Sequence, residues 1–434
     1  MASIKGGVSY ESNGKGSDEL PFFAGMCSSV LAADVQSGYL QSKVRYEAAM
    51  ASLASYDDKP GRLARQEYRE EGWQIENLTG ISKSSQAEFI LLHKQAVEEH
   101  PARYILAISG TVDKKDIKSD LRTRSVPFHQ EDRKEPGREV PSVHKGFDDY
   151  ARTILNTRMR KGTVADTMSS IISNREADLL VTGHSLGGAA ASLIGARMAD
   201  QGFSPGDIRI ITFGAPAVGN QAFADAYGQA MNLERVVIEG DPVQHVLQTF
   251  RMPYNQFGTK IVWKDSPDSY HFRHHMIVYA DAALRQYYDN LWAYEQKTGQ
   301  TVFRDRHPVV HSDIYVAPPV FRLDEDLSDD TPYMRAVIHH TLYRSIDGAA
   351  FSPSYEETMA ESCQAAARLH KPYIMQEYIT GQKLKEEEHV YRISVARHIY
   401  DQQGRFLSAE EYTTDTSLFT PILAVLYCQK QIKI

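Results

Sequence analysis

The chain has 434 residues, of which 42% are hydrophobic, and its formal net charge at pH 7 is −8. This length and apolar content allow a large buried core and exceed one ordinary domain, so an enzyme domain with an additional part is expected. Acidic and basic residues are interspersed, which argues against nucleic acid or a strongly anionic surface as the main partner.

The cysteines and the N-terminal residues bear on the cellular compartment. Cys27, Cys363 and Cys428 are odd in number and far apart, so they indicate buried thiols and no disulfide framework. No apolar run reaches the length of a transmembrane helix. Residues 1–18 are polar, without the apolar centre of a signal peptide. The protein is therefore expected to be either cytoplasmic or secreted with its signal peptide already removed.

The first predicted elements are a helix and a group of strands. Residues 33–56 have helical spacing and many alanines, and residues 89–93 pattern as a strand. Residues 103–108 form a second apolar strand that ends in Ser109-Gly110-Thr111, which are turn residues. Residues 147–172 are largely helical and lead into the next strand.

The most informative motif is Gly-His-Ser-Leu-Gly-Gly at residues 183–188, which follows an apolar run and opens a helix rich in small residues. Glycines flank Ser185 because a strand that reverses sharply into a helix leaves no room for side chains there. The hydroxyl of Ser185 is thereby exposed at a helix N-terminus. This motif is typical of the nucleophile elbow of α/β-hydrolases, so it predicts an α/β fold with a mostly parallel central sheet.

A serine nucleophile requires an acid and a base, which follow it in that order in this fold. Residues 208–213 and 235–238 pattern as two more buried strands, each ending in turn residues. Asp241 comes just after the second strand, so it is expected at the same edge of the sheet as Ser185. The alternative interpretation of Asp241 is a turn residue before Pro242.

Several histidines follow Asp241, and helical spacing distinguishes them. His245 lies only four residues further on and is expected at the surface or at the pocket rim. His274 stands at the start of a helical segment just after the last strand, residues 260–263, where this fold places its base. We therefore predict His274 as the base. His275 is adjacent, and the residues alone leave it open as the alternative.

The predicted triad also requires an oxyanion hole, which stabilises the negative charge that develops on the substrate oxygen. One donor is the backbone N–H of Leu186, directly after the nucleophile. The second is the N–H of Thr111, with Gly110 permitting close approach. A simple strand-ending turn is the alternative for this segment.

Together these motifs resemble the class 3 lipases, a group of α/β-hydrolases typified by the fungal triacylglycerol lipases. The resemblance is carried, in chain order, by Ile-Ser-Gly-Thr at 108–111, residues 116–121, Val-His-Lys-Gly-Phe at 143–147, the elbow at 183–188, residues 213–220, and Asp-Pro-Val at 241–243. It implies that Asp241 is the triad acid. The pattern of bacterial and plant members fits His274, Met276 and Tyr279, whereas the fungal pattern would select His275.

The chain departs from the resembled family in places that affect substrate binding. Ser109 stands where the family usually has arginine, and residues 244–248 lack the usual prolines. The counterpart of the lid, residues 112–121, offers only Ile117 and Leu121 as apolar residues in its body, which predicts weak interfacial docking. Residues 253–257 are an alternative lid.

Residues beyond Gly299 match no hydrolase element. The acidic cluster at residues 324–330 lacks calcium-loop spacing and is expected to be a solvated linker. Residues 354–370 pattern as a helix, and residues 390–408 as a hairpin around a Gly-containing turn. The prediction is a hydrolase domain at residues 1–299 and a small α+β extension of unknown role at residues 300–434.

The expected activity is that of a serine carboxylester hydrolase, a lipase or esterase, that cleaves acyl esters of glycerides or related lipids through an acyl-enzyme. No metal or organic cofactor is required by this chemistry. The expected partners are a lipid or small-molecule ester and, transiently, a lipid interface. The alternatives are a phospholipase acting on aggregated lipid and a non-catalytic interaction protein that keeps the hydrolase scaffold.

Overall fold

The structure is a computed structural model, and it describes residues 22–96, 101–110, 124–129, 139–174, 177–243, 254–264, 271–302, 313–384 and 389–433, with side chains from residue 34 onward. Thr111, the predicted lid at residues 112–121, His245 and the side chain of Cys27 lie outside this description. Most of the alternative lid, residues 254–257, lies inside it.

The part of the chain before Gly299 alternates strands and helices. The described helices are α1 (Phe22–Ala54), α2 (Lys59–Glu70), α3 (Lys145–Leu155), α4 (Val164–Ser173), α5 (Leu186–Asp200), α6 (Gln221–Tyr227) and α7 (Met276–Thr298). The described strands are β1 (Gln74–Ile81), β2 (Gln86–Lys94), β3 (Ala102–Ile108), β4 (Ser125–Pro127), β5 (Ser142–His144), β6 (Ala177–His184), β7 (Arg209–Phe213), β8 (Gly219–Asn220), β9 (Asn232–Ile238), β10 (Tyr254–Asn255) and β11 (Thr259–Trp263).

Side chains near the helix starts explain where several of these helices begin. The carboxylate of Asp58 accepts the N–H of Gly61 at 2.7 Å before α2. Thr163 and Asp166 form a reciprocal capping box at α4, in which each side chain accepts the other residue's backbone N–H. These contacts satisfy backbone donors that have no acceptor within the helix.

The central sheet has seven strands in the order β1-β2-β3-β6-β7-β9-β11. The pairs from β3 to β11 are parallel, and β1 and β2 are antiparallel additions at one edge. One face packs against α1, α2 and α7, and the other against α3, α4, α5 and α6, in two separate apolar clusters. Strands covered on both faces are mostly apolar, as the sequence pattern indicated. The predicted α/β fold with a mostly parallel sheet is confirmed.

The extension beyond Gly299 is an α+β arrangement, as predicted. Its strands are β12 (Ile314–Val316), β13 (Val320–Leu323), β14 (Ala350–Phe351), β15 (Tyr373–Lys383), β16 (Tyr391–Asp401) and β17 (Phe406–Asp415), and its helices are α8 (Thr331–Ser345), α9 (Met359–Arg368) and α10 (Pro421–Gln431). The sheet order is β14-β12-β15-β16-β17, with β13 also beside β15. The antiparallel pair β16 and β17 is the predicted hairpin.

Two expectations for the extension are wrong. The acidic segment is not an irregular linker but a short 3₁₀ helix, Glu325–Asp330, and two of its carboxylates pair with cations that are distant in sequence. Asp330 is buried and pairs with Arg285 at 2.7 Å, while Asp326 pairs with Lys383 at 2.9 Å. The side chain of Cys428 is buried as expected, but that of Cys363 is partly exposed.

The extension packs against the hydrolase part through apolar and charged contacts. Leu423 of α10 is fully buried in the same apolar cluster as Ala49 of α1 and Leu284 of α7. Beside this cluster, the carboxylate of Glu67 on α2 binds the extension's Arg344 at 2.6 Å and Lys430 at 2.5 Å. The predicted boundary at residue 299 coincides with the end of α7, where Gly299 has a φ of 70°. The division of the chain into two units stays a prediction.

No helix among the described residues is long and apolar enough to cross a membrane.

The contact of Glu67 with Arg344 and Lys430 predicts a large stability effect. We expect Glu67→Gln to lower the free energy of unfolding by about 1–2 kcal/mol, because it removes the buried carboxylate that Arg344 and Lys430 share and leaves them only the more exposed carboxylates of Glu71 and Glu70. The control is Arg62→Ala on the same helix, whose exposed pair with Asp57 spans 3.9 Å. That variant should change stability by less than about 0.5 kcal/mol. Urea unfolding measures both, and equal effects would contradict the prediction.

The same contact predicts how this difference depends on pH. Burial alone would raise the pKa of Glu67, but the charges of Arg344 and Lys430 lower it below its ordinary value. A carboxyl with a lowered pKa in the folded state stabilises the fold above its ordinary pKa, and the contribution is lost as the pH falls through the lowered value. The difference between wild type and Glu67→Gln should therefore shrink in strongly acidic buffer.

The shared apolar cluster predicts the result of a truncation after Gly299. Removing α8 and α10 would uncover apolar side chains of α1 and α7, so we expect the truncated chain to aggregate or to bind a hydrophobic dye. A soluble fragment with a sharp unfolding transition would instead support two independent units.

Candidate active site

Ser185 lies in the predicted turn between a strand and a helix, after β6 and before α5. Its backbone has a φ of 55° and a ψ of −121°, a conformation that costs energy for a residue with a side chain. The flanking glycines make this turn possible. A Cβ at Gly183 would lie 2.4 Å from the carbonyl carbon of Gly187, and one at Gly187 would lie 2.2 Å from the carbonyl oxygen of Ile108. The strained turn therefore places the Ser185 hydroxyl beside the end of β3.

The structure brings together the three side chains that the sequence predicted as a triad. Nε2 of His274 lies 2.9 Å from Oγ of Ser185, and its Nδ1 lies 2.8 Å from Oδ2 of Asp241. All three residues are buried, with 4%, 3% and 1% of the surface of Ser185, His274 and Asp241 exposed. Asp241 follows the end of β9, and His274 precedes the start of α7, so two elements position the pair.

Asp241 accepts hydrogen bonds from three sides. Besides His274, the hydroxyl of Tyr279 donates to its Oδ2 at 2.5 Å, and the N–H of Val243 donates to its Oδ1 at 2.8 Å. Burial alone would raise the pKa of Asp241, but the hydrogen bonds of His274 and Tyr279 and the charge of His274 lower it below its ordinary value. The ionised carboxylate of Asp241 accepts a hydrogen bond from Nδ1–H of His274, so that Nε2 is the nitrogen without a proton and can accept the one from Ser185.

Tyr279 belongs to the site, and the sequence alone did not indicate its contact with Asp241. In the sequence, Tyr279 is only one position of the family pattern that begins at His274. In the structure its hydroxyl oxygen also accepts the N–H of Ile238, the last residue of β9, at 3.2 Å. Its side chain therefore joins α7 to the strand that carries Asp241.

The alternative base, His275, lies elsewhere. Its side chain is exposed at the start of α7, with its ring 5.7 Å from that of Phe272. Adjacent residues at a helix start point in different directions, so only one of the two can face the strand edge. The hydrogen bonds to Ser185 and Asp241 are made by His274.

The predicted oxyanion donors are partly described. Leu186 is the first residue of α5, so its N–H has no acceptor within the helix. Thr111 lies outside the described residues, but Gly110 lies against the elbow. A Cβ there would lie 2.5 Å from the carbonyl oxygen of His184 and 3.2 Å from Cβ of Ser185. Only a glycine permits this approach.

Ser109, which replaces the arginine usual in the resembled family, is also anchored. Its hydroxyl donates to the carbonyl of Ser55 at 2.7 Å, and its own carbonyl accepts the hydroxyl of Tyr150 at 3.0 Å. The loop after β3 is therefore supported by hydrogen bonds with the residue that follows α1 and with α3. Within the described parts of the chain, no group of three or more His, Cys, Asp and Glu side chains could hold a metal ion.

The sequence is similar to lipases over part of its length. A lipase of Caenorhabditis elegans, ZK262.3, is 41% identical over 107 residues, which cover 23% of this chain and 30% of that protein. The putative lipase LIH1 of Saccharomyces cerevisiae is 30% identical over 171 residues, covering 36% of this chain and 49% of the relative. The chain thus spans less than half of the length of these curated relatives.

Among solved structures, a lipase from Rhizopus microsporus var. chinensis is 22% identical, with a TM-score of 0.40 over 51% of this chain and 74% of that one. The family model of class 3 lipases matches residues 105–250, a range that includes Ser185 and Asp241. Over this segment the chain is similar to the class 3 lipases, the family that its motifs resemble.

Proposed function

We propose that this protein is a serine carboxylester hydrolase, a lipase or esterase that cleaves acyl esters of glycerides or related lipids. The observation that carries the proposal is the continuous hydrogen-bonded path from Ser185 through His274 to Asp241 at a strained elbow. Strain of this kind is retained where the surrounding structure holds a reactive group in place.

The reaction follows from the positions of the donors and acceptors. His274 Nε2 takes the Ser185 proton while Oγ bonds to the ester carbonyl carbon, and the carbonyl electron pair moves to oxygen. The N–H groups of Leu186 and Thr111 stabilise that oxyanion. As the tetrahedral intermediate collapses, the ester C–O bond breaks and the His274 proton passes to the leaving alcohol. Water then attacks the acyl-enzyme by the same steps.

An apolar side chain beside His274 supports an ester with an apolar acyl group. The ring of Phe272 lies 6.4 Å from the ring of His274, and the residue is 39% exposed. An exposed aromatic side chain at this position offers apolar surface to a bound acyl chain. Because the lid counterpart has a narrow apolar stripe, we propose a preference for short or medium acyl chains.

The pair of adjacent histidines provides the first test of this proposal. Ser185→Ala and His274→Ala should each lower ester turnover by at least about a thousandfold, because triad members act as a unit. His275→Ala, the matched control, should keep turnover within about threefold. A fluorophosphonate probe should label wild type and His275→Ala but not Ser185→Ala. If wild type shows neither turnover nor labelling, the non-catalytic scaffold is the better explanation.

Substrate preference is tested with p-nitrophenyl esters from two to sixteen carbons and with tributyrin across its solubility limit. We expect the highest kcat/KM among the shorter chains and no sharp rise in rate once droplets form. A steep rise at the droplet transition with the longest chains preferred would indicate a true lipase. Faster cleavage of phospholipid vesicles than of either ester would favour the phospholipase alternative.

A further inference from the structure

Two side chains outside the triad, one partly buried and one buried, join the loops of the candidate site. Tyr56 follows the end of α1, and His184 is the last residue of β6, directly before Ser185. The hydroxyl of Tyr56 accepts the N–H of Gly110 at 3.0 Å and lies 2.7 Å from Nδ1 of His184. Nε2 of His184 lies 2.7 Å from the backbone carbonyl oxygen of His274. A continuous chain of hydrogen bonds therefore runs from Gly110 to His274.

The direction of each hydrogen bond in this chain is fixed. Burial and the neighbouring charge of His274 lower the pKa of His184 to about 3, so its ring is neutral at ordinary pH. A neutral imidazole has one donor and one acceptor nitrogen. The His274 carbonyl can only accept, so Nε2 of His184 donates and its Nδ1 accepts the Tyr56 hydroxyl. Burial raises the pKa of Tyr56 well above its ordinary value, so that hydroxyl keeps its proton.

The two ends of this hydrogen-bond chain adjoin, in sequence, the two groups that are proposed to act on the substrate. Gly110 precedes Thr111, the proposed second oxyanion donor, and His274 is the proposed base. The loops that carry these groups come from opposite ends of the hydrolase sequence. Catalysis requires both to be placed relative to one ester group within a fraction of an ångström.

Neutrality of His184 matters for a second reason. Its ring centroid lies 4.7 Å from that of His274, which becomes an imidazolium in the transition state. A positive charge on His184 at this distance would repel that imidazolium, whereas a neutral ring does not. Burial of His184 therefore keeps the neighbourhood of the base free of a competing positive charge.

We propose that Tyr56 and His184 are positioning residues, which fix the oxyanion loop and the His274 loop relative to each other before substrate binds. Neither side chain bonds to Ser185 Oγ in the structure, and each acts through the backbone groups of Gly110 and His274. The inference rests on the proposed function, because it assigns these residues to the same ester reaction. Such preorganisation is expected to affect kcat more than KM.

The first experiment compares two partly buried tyrosine hydroxyls. Tyr56→Phe should lower kcat on a soluble p-nitrophenyl ester by about tenfold to a hundredfold, with KM within about twofold of wild type. Tyr68→Phe is the matched control, because the Tyr68 hydroxyl also makes a partly buried hydrogen bond. It lies on α2 and donates to the carbonyl of Glu47 on α1 at 2.5 Å. It should lower Tm comparably but leave kcat within about twofold. Equal kcat losses in both variants would overturn the proposal.

A second pair of variants tests His184 by rescue. His184→Gln keeps an acceptor and a donor, whereas His184→Phe keeps neither, so we expect His184→Gln to retain at least about tenfold more kcat. In His184→Phe the further change Tyr56→Phe should cost little, because the two residues act as one unit. Equal kcat in His184→Gln and His184→Phe would overturn the proposal even if Tyr56→Phe fails to fold.

The outcome for wild type separates the two proposals. An active wild type with unaltered kcat in Tyr56→Phe overturns only the positioning role. A wild type without ester turnover or probe labelling overturns the proposed function, and the positioning role falls with it.

Discussion

The site depends on one close approach, that of the turn after β6 to the end of β3. A side chain at Gly187 would come within 2.2 Å of the Ile108 carbonyl oxygen, so the approach exists only because this position is glycine. The parallel strands then end at one edge and bring Asp241 to the same region as Ser185. Gly214, with a φ of 57°, meets the same constraint, since a Cβ there would lie 2.9 Å from Oδ2 of Asp241. Backbone crowding sets the geometry that the polar groups then use.

Burial makes the polar network of the site costly to break. Asp241 has 1% of its surface exposed, so its charge is stable only because His274, Tyr279 and Val243 donate to it. The same absence of solvent holds His184 neutral, and the carbonyl of His274 then fixes its tautomer. Desolvation disfavours the charged form of both groups, yet their charge states differ. The carboxylate keeps its charge because it has three donors, and the imidazole stays neutral because its partners require no charge.

Patterns of neighbouring residues in the sequence predicted those structural elements that depend on neighbouring residues alone. The elbow glycines, the strand that ends before Asp241 and the β16–β17 hairpin each follow from spacing and turn residues. Contacts between distant residues could not be predicted in this way. Nothing near Tyr56 or Tyr279 indicates their hydrogen bonds, and the acidic 3₁₀ helix depends on Arg285 and Lys383, which lie far from it in sequence. His274 and His275 differ in the direction of their side chains, which the start of α7 determines.

The extension bears on the site because it supports the helix that follows His274. Nε2 of His271, in the loop before α7, lies 2.9 Å from the carbonyl oxygen of Phe419. The hydroxyl of Thr420 donates to Asp281 on α7 at 2.6 Å, and the same carboxylate binds Arg285. A segment between β17 and α10 is thus bonded to the base loop and to the first turns of its helix. The position of His274 relative to Ser185 depends on where α7 begins. Residues far beyond the segment that matches the lipase family model, 105–250, therefore take part in setting that position.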